Sequence, residues 1–399
     1  MLKIAIMLWK GADGAGGNTL AKQITNLESN DFHIECFCNE DNLYEMGSNR
    51  NSKRAYNNFT YFNSNQNMND LINKDHFDIC MILTSLFESD KNYNKFIEFI
   101  KNLNCKKVLF NIDRSKRTAK KELSNKKYLD LFDRIICISD EVKKYVNEIS
   151  NTKCGIFDVN VYKFHDIEII KKEQRKNVIS YIGRFANFKG WNTFFDWSVN
   201  EKDLFAKYSI SFEGGLFAKT EKSFSSTIGI IACLCNSTKD KDIKGKKSGK
   251  TKIHFDYSNY DKDIKERIVH LYPSYNLKEM LKRARKKKFV IFPIGYNKKI
   301  EKVKSQFEVA MEYAWLEMID IGTPIVCTTQ YANSYIINGK KLIDCDCGLV
   351  FINDYNELND KLNEYEKNYD TNIVKMKKFF VKNYDSEGKF NKIIDFIMK

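Results

Sequence analysis

FEVAMEYAWLEMIDIGTPIV, residues Phe307 to Val326, decides how the chain is to be read. Its first half has helical spacing, with Ala310, Ala314 and Glu317 on one side and two carboxylates, Glu312 and Glu317, five residues apart. Gly322-Thr323-Pro324 stops the helix, and the apolar run Ile325-Val326-Cys327 follows. A helix stopped by Gly and Pro and leading into a short β-branched strand is an αβ unit. Exposed Glu is common on helices, so a solvated face is the plain alternative for the two carboxylates.

A second stretch gives those carboxylates company. In Ser180 to Gly190, SYIGRFANFKG, an apolar strand (Val178–Ile182) ends in Gly183-Arg184, and Lys189-Gly190 follow five residues later. Arg and Lys beside a Gly turn at the carboxyl end of a strand suit a diphosphate, and carboxylates suit sugar and ribose hydroxyls. Together they point to a nucleotide-sugar site.

The N-terminus has a matching feature. Leu2 to Leu8, LKIAIML, reads as a buried strand; Gly11 to Gly17 (GADGAGG) and a helix-like run, Asn18 to Asn26, come next. Strand, Gly-rich turn and helix open a Rossmann-like unit. Gly14, Gly16 and Gly17 would let backbone N–H groups approach a phosphate or sugar at a helix N-terminus. The spacing is neither the dinucleotide fingerprint nor a P-loop, and a tight structural turn is the alternative.

Further strands are expected at His33–Cys38, Phe77–Leu83, Lys107–Ile112 and Arg134–Ser139, with a helix at Asn92–Leu103. Residues from about Asn151 to Arg175 loosen into a linker. A second series follows, with strands at Val178–Ile182, Tyr208–Phe212, Lys252–Phe255, Phe289–Pro293, Pro324–Cys327 and Gly348–Phe351. Its helices are expected at Asn192–Asn200, Leu277–Lys287 and Glu308–Asp320. Phe379 to Lys399 reads as a closing helix or helix pair. Alternation of this kind is that of doubly wound parallel sheets, whose ligands lie beyond the carboxyl ends of the strands. Asp113 sits at one such end, either as a site residue or as a capping Asp. The basic residues after it (Arg114, Lys116, Arg117, Lys120 and Lys121) read as phosphate-backbone contacts or as a solvated helix face. KRARKKK, at 282–288, reads as a solvated helix face, and STKDKDIKGKKSGK, at 237–250, as an exposed polar loop.

The 399 residues suit two domains rather than one, and 43% hydrophobic residues suffice for two cores. A formal charge of +14 invites a polyanion. Abundant Asn, Lys, Ile, Tyr and Phe with only three Pro is also what an AT-rich genome would produce, so charge alone does not argue nucleic acid. The eleven Cys include C-x-C pairs in strand-like contexts, not the C-x-x-C pairs of zinc sites, which implies reduced thiols and a cytoplasmic protein. No signal peptide or transmembrane-length run is read. The five His are scattered, without a zinc-hydrolase grouping, and no G-x-S-x-G elbow is present. No metal site is expected.

Taken together, the Gly loop, the R-x-x-x-x-K turn and the Glu-rich G-T-P stretch resemble the GT-B glycosyltransferases. Within them the chain resembles the DNA α-glucosyltransferases of T-even bacteriophages. The resemblance runs from Leu2–Gly16 through Tyr181–Gly190, Phe195-Asp196, Phe212-Glu213-Gly214, Tyr275, Glu279-Met280-Leu281, Glu312-Tyr313, Leu316-Glu317 and Gly322-Thr323 to Asp385-Ser386. It implies a GT-B fold, two Rossmann-like domains facing a central cleft with a C-terminal helix returning toward the first. The expected bounds are 1–170 for the acceptor (DNA) domain, 171–378 for the nucleotide-sugar domain and 379–399 for the returning helix.

The implied chemistry is base flipping and transfer of glucose, with retention, from UDP-glucose to 5-hydroxymethylcytosine in phage duplex DNA, a modification that evades host restriction in the infected cytoplasm. No metal or membrane is required. Arg184 and Lys189 match diphosphate contacts, Glu317 the ribose carboxylate, Glu312 a residue facing the sugar, and Asp113 an acceptor-side Asp. Gly183, Glu213 and Tyr275 fall among the donor contacts. Ile112 stands where the family carries His, which leaves the acceptor base open, as are the sugar and the oligomeric state, a monomer being the simplest case. Two other readings compete. One is a bacterial GT-B enzyme for a polysaccharide or lipid acceptor, which would want a basic amphipathic patch. The other is a non-enzymatic DNA-binding protein, which would leave Glu312, Glu317 and the Gly loop without purpose.

Overall fold

A computed structural model describes residues 1–9, 16–39, 59–63, 67–84, 92–111, 123, 125–158, 161–183, 189–201, 207–213, 268–272, 277–294 and 313–399. Asp113 and the basic residues 114–121, Gly14, Arg184, Tyr275, Glu312, the strand expected at 252–255 and the loop 237–250 lie outside them.

The first sheet is parallel throughout, in the order β3-β2-β1-β4-β5-β6-β7. Its strands are β1 (Leu2–Leu8), β2 (Phe32–Asn39), β3 (Phe59–Phe62), β4 (Ile79–Thr84), β5 (Lys106–Phe110), β6 (Arg134–Cys137) and β7 (Cys154–Ile156). The helices α1 (Gly16–Thr25), α2 (Met68–Lys74), α3 (Tyr93–Lys101), α4 (Lys126–Leu129) and α5 (Asp140–Ile149) connect them. β1 carries Ile4 to Leu8 buried without alternation, because helices cover both faces of a parallel sheet.

The second sheet repeats the scheme, β10-β9-β8-β11-β12-β15. Here β8 is Lys176–Ile182, β9 Ser209–Glu213, β10 Ile268–Tyr272, β11 Lys287–Phe292, β12 Ile325–Thr328 and β15 Val350–Ile352. A hairpin, β13 (Ile336–Ile337) with β14 (Lys340–Lys341), stands apart. The helices are α6 (Trp191–Asn200), α7 (Leu277–Ala284), α8 (Tyr313–Asp320), α9 (Thr329–Ser334), α10 (Leu358–Glu366), α11 (Tyr369–Asn383) and α12 (Ser386–Met398). In both sheets the order reverses beside the first strand, between β1 and β4 and between β8 and β11. Open α/β sheets bind ligands outside such reversals.

Three readings need correction. The residues between β2 and α2, where no strand was expected, contain β3, and the segment taken as linker contains β7, which pairs with β6. Both are short edge strands with weak apolar patterns. The KRARKKK run is not one helix face. α7 stops at Ala284, and Lys287 and Lys288 are buried in β11. Their aliphatic stems lie in the sheet, and their ammonium groups reach the carboxylates of the buried Glu213 and the partly buried Glu366. Glu366 also receives Lys207 and the Tyr208 hydroxyl. Burial would raise its carboxyl, but these hydrogen bonds outweigh burial and hold it down at about 2.

The linker is woven into both halves. Val161 joins the core of the first sheet and Tyr162 that of the second. The buried Arg175 guanidinium donates to the carbonyls of Ile170, Arg285, Lys287 and Gly322, fastening the linker's end under the second sheet. Phe380, near the end of α11, belongs to the second core. The returning element is therefore α12, capped by Asp385, whose carboxylate accepts from the Gly388 N–H. Phe390, Ile393, Ile394 and Ile397 of α12 pack into the first core. Lys106 Nζ donates to the terminal carbonyls of Ile397 (3.1 Å) and Met398 (2.8 Å), placing a cation at the negative end of the helix. Among the described residues the nine cysteines are free thiols, and no helix is long and apolar enough to cross a membrane.

Candidate active site

The turn after β8 is built by two glycines. Gly183 (φ +151°) closes the strand, and its N–H donates to the Glu213 carbonyl at the end of β9 (2.9 Å). Gly190 (φ +73°) caps α6 with no side chain. A Cβ there would stand 2.0 Å from the Pro293 carbonyl oxygen, just past the end of β11. Only Gly lets the start of α6 come this close to the end of β11, beside the reversal of strand order. Thr193 holds the turn by donating to the Gly190 carbonyl (2.8 Å), and its hydroxyl also meets that of Tyr355 (2.9 Å). The half-buried Lys189 directly precedes this helix N-terminus. A cation and the positive end of a helix dipole beside strand ends suit an anion.

Gly16 and Gly17 form the first residues of α1, at the corresponding position after β1. Glu317 is buried on the last turns of α8. Burial pushes its carboxyl up to about 8, with Lys22 of α1 opposing the rise and Asp320 adding to it. At neutral pH this group carries a proton, where the sequence suggested a carboxylate.

Glu213, expected among the donor contacts, has no surface to offer in this structure. Its side chain is fully buried, ion-paired to Lys287 and to Arg283 Nε (3.1 Å). Phe212 and Glu213 end an interior strand, and no local pattern signals that the counter-ions come from α7 and β11.

No protein-family model matches the sequence, and no curated protein matches it. Solved structures do. An α-glucosyltransferase in complex with UDP and a 13-mer DNA containing a HMU base is 18% identical over 100% of both chains, with a TM-score of 0.72. An α-glucosyltransferase in complex with UDP-glucose and DNA containing an abasic site is 17% identical over 100% of this chain and 99% of that one, with a TM-score of 0.73. TarM is similar over 100% and 99%, at 10% identity and a TM-score of 0.55.

The chain has the GT-B fold. At these identities the likeness describes the path of the backbone, not the chemistry.

Where the two halves of this GT-B fold meet, the structure adds residues that sequence reasoning missed. Asp320, buried at the end of α8, accepts from the His165 N–H (2.7 Å), His165 Nδ1 (2.6 Å) and the Tyr162 hydroxyl (3.1 Å). Burial, Asp320 and Glu317 all push the Tyr162 phenol up. Gln23 of α1 accepts from the Lys163 N–H (3.3 Å), and Ser386 bonds both backbone groups of Tyr162. The linker, α1, α8 and α12 thus converge beside Glu317. Nothing in the sequence spacing links His165 to Asp320, 155 residues apart. Among the described residues no group of three or more His, Cys, Asp or Glu is arranged to hold a metal.

Proposed function

We propose that this protein is a glycosyltransferase that moves glucose from UDP-glucose to a hydroxymethylated pyrimidine, 5-hydroxymethylcytosine, in duplex DNA, with retention. The observation that carries the reading is the N-terminus of α6, which Lys189 precedes and Gly190 caps without a side chain, at the strand reversal of the second sheet. End-to-end likeness to a protein solved with UDP-glucose and DNA supports the donor and the acceptor class.

Residues 171–378 would hold the donor and 1–170 the acceptor, with α12 tying the second back to the first. Arg184 and Lys189 stabilise the charge that builds on UDP as the bond to the sugar breaks. Glu317 carries a proton at neutral pH and can both donate to and accept from ribose hydroxyls. Glu312 would face the sugar, Tyr275 and the N-terminal glycines would contact the donor, and Asp113 would serve the acceptor side. The hydroxymethyl group is inside a duplex, so its nucleotide must be flipped out, while Arg114, Lys116, Arg117, Lys120 and Lys121 grip the flanking phosphates. The setting is an infected bacterial cytoplasm, where such a modification shields phage DNA.

The test is incubation with UDP-glucose and other UDP-sugars and with DNA carrying cytosine, 5-hydroxymethylcytosine or 5-hydroxymethyluracil, read by nucleoside mass spectrometry. A glucosylated 5-hydroxymethyl-2′-deoxycytidine is expected. Sugar transfer to none of these DNAs, together with no DNA affinity at low salt, would pass the lead to a polysaccharide or lipid acceptor.

A further inference from the structure

One small hairpin belongs to neither sheet and has no part in the donor site described above. β13 (Ile336–Ile337) and β14 (Lys340–Lys341) pair antiparallel, Ile336 opposite Lys341 and Ile337 opposite Lys340. Asn338 (φ +48°) and Gly339 (φ +77°) make the two-residue connection, and a tight hairpin turn of this length favours positive φ at both positions. The base is pinned. Ile337 is buried in the core of the second domain, the Leu342 N–H donates to the Tyr335 carbonyl (2.8 Å), and Asn338 Nδ2 donates to Asn383 Oδ1 (2.9 Å). The tip stands clear, since a Cβ on Gly339 would meet nothing within 4 Å.

The outer surface of the hairpin is apolar and cationic. Ile336 is 50% exposed, and its cross-strand partner Lys341 is exposed, as is Lys340. Asn383 ends α11, where Lys382 and, one turn earlier, Lys378 are exposed as well. Among the described residues none of these four lysines has an ion-pair partner. The acids in the same stretches of chain are mostly engaged: Asp346 holds Lys375 and Asp385 caps α12, which leaves Asp344. A lone exposed Ile is ordinary. An exposed Ile set beside cations on a pinned, protruding ribbon is a surface of definite chemistry, and cations of one sign suit a polyanion.

Position adds to this. β12 ends at Thr328 and α9 leads from it toward the hairpin, so the hairpin follows a strand end on the side of the second sheet where ligands of such folds lie. Asn383 stands where the chain leaves the second domain for α12, which packs into the first core. The hairpin is therefore beside the crossing between the two domains.

We propose that this hairpin, flanked by the end of α11, is a contact surface for the duplex DNA that carries the acceptor base. The inference rests on the DNA reading above, and it gives the donor half of the protein a share in holding the acceptor. A two-stranded ribbon is narrow enough to enter the major groove. Lys340, Lys341 and Lys382 meet phosphates, and Ile336 makes apolar contact with base edges.

The experiment is fluorescence anisotropy of a short labelled duplex with the full chain across a salt series, with UDP titration and thermal unfolding as controls. Lys340→Gln with Lys341→Gln should flatten the logarithmic salt dependence by roughly two units, and adding Lys382→Gln by about one more. Ile336→Ser should weaken the duplex about three- to tenfold at an unaltered slope, because it removes apolar contact and no charge. All of these variants should unfold and bind UDP as the wild type does. Variants that keep the wild-type affinity and slope overturn the proposal while the DNA reading stands. Variants that keep the duplex but lose binding to phosphatidylglycerol vesicles also overturn it, and hand the surface to a membrane. Wild-type protein that binds duplex but transfers no sugar sinks the acceptor reading, and the salt slopes of the variants then decide this one. Wild-type protein that binds no duplex at low salt sinks both.

Discussion

Replacing Glu317 by glutamine should make the protein more stable in alkaline solution and leave it nearly unchanged in acid. In the fold, burial lifts the Glu317 carboxyl from 4.5 to about 8, against the pull of Lys22. Above pH 4.5 the unfolded chain releases this proton while the native state keeps it. The native state then binds more protons than the unfolded one, so stability falls as pH rises, and the loss is complete near pH 8. A gap of about 3.5 pH units (8 minus 4.5) at ~1.4 kcal/mol each gives on the order of 4–5 kcal/mol. Glutamine keeps the shape and does not titrate, so the variant should lack this slope. Thermal unfolding of both proteins at pH 5 and pH 8 measures it. At about 2 °C per kcal/mol in a chain of this size, the variant should gain several degrees at pH 8 and little at pH 5. Parallel pH profiles for the two proteins would refute the argument, and Glu317 would then be ionised in the fold. UDP titration on the same samples separates stability from function. Glutamine should weaken UDP only modestly, and Glu317→Ala by about tenfold or more, since a group that holds ribose acts in ground and transition states alike.

Arg184→Ala and Lys189→Ala should each fold and lose ~10²–10³ in kcat, measured as transfer to 5-hydroxymethylcytosine DNA; near-normal turnover in both would remove the diphosphate role. Gly190→Ala places a Cβ against the Pro293 carbonyl at a left-handed φ, and should destabilise the second domain by on the order of 2–4 kcal/mol, seen as an earlier unfolding transition. Arg114→Ala with Lys116→Ala should flatten the logarithmic salt dependence of DNA binding by roughly two units and leave UDP affinity intact; an unaltered slope would make that loop a solvated one.

Much of the architecture was legible because its signals are local. Apolar runs such as Leu2–Leu8 and Val178–Ile182 ending at Gly turns specify buried parallel strands, and Gly322-Thr323-Pro324 specifies the passage from α8 to β12. Gly183 and Gly190 could be placed at a turn from sequence, since the turn needs their backbone freedom. The edge strands β3 and β7 were not legible, because a strand of three or four residues draws its stability from a neighbour's hydrogen bonds rather than from its own pattern. Charges were the least legible of all. The sequence presents Lys287, Lys288 and Glu213 as ordinary surface residues or ligands, and Glu317 as an ionised carboxylate. Tertiary structure alone buried them, pairing Lys287 and Lys288 with acids far along the chain and leaving Glu317 its proton. The cost of ionising a side chain depends on what the rest of the fold brings within a few ångströms of it, and no local pattern encodes that.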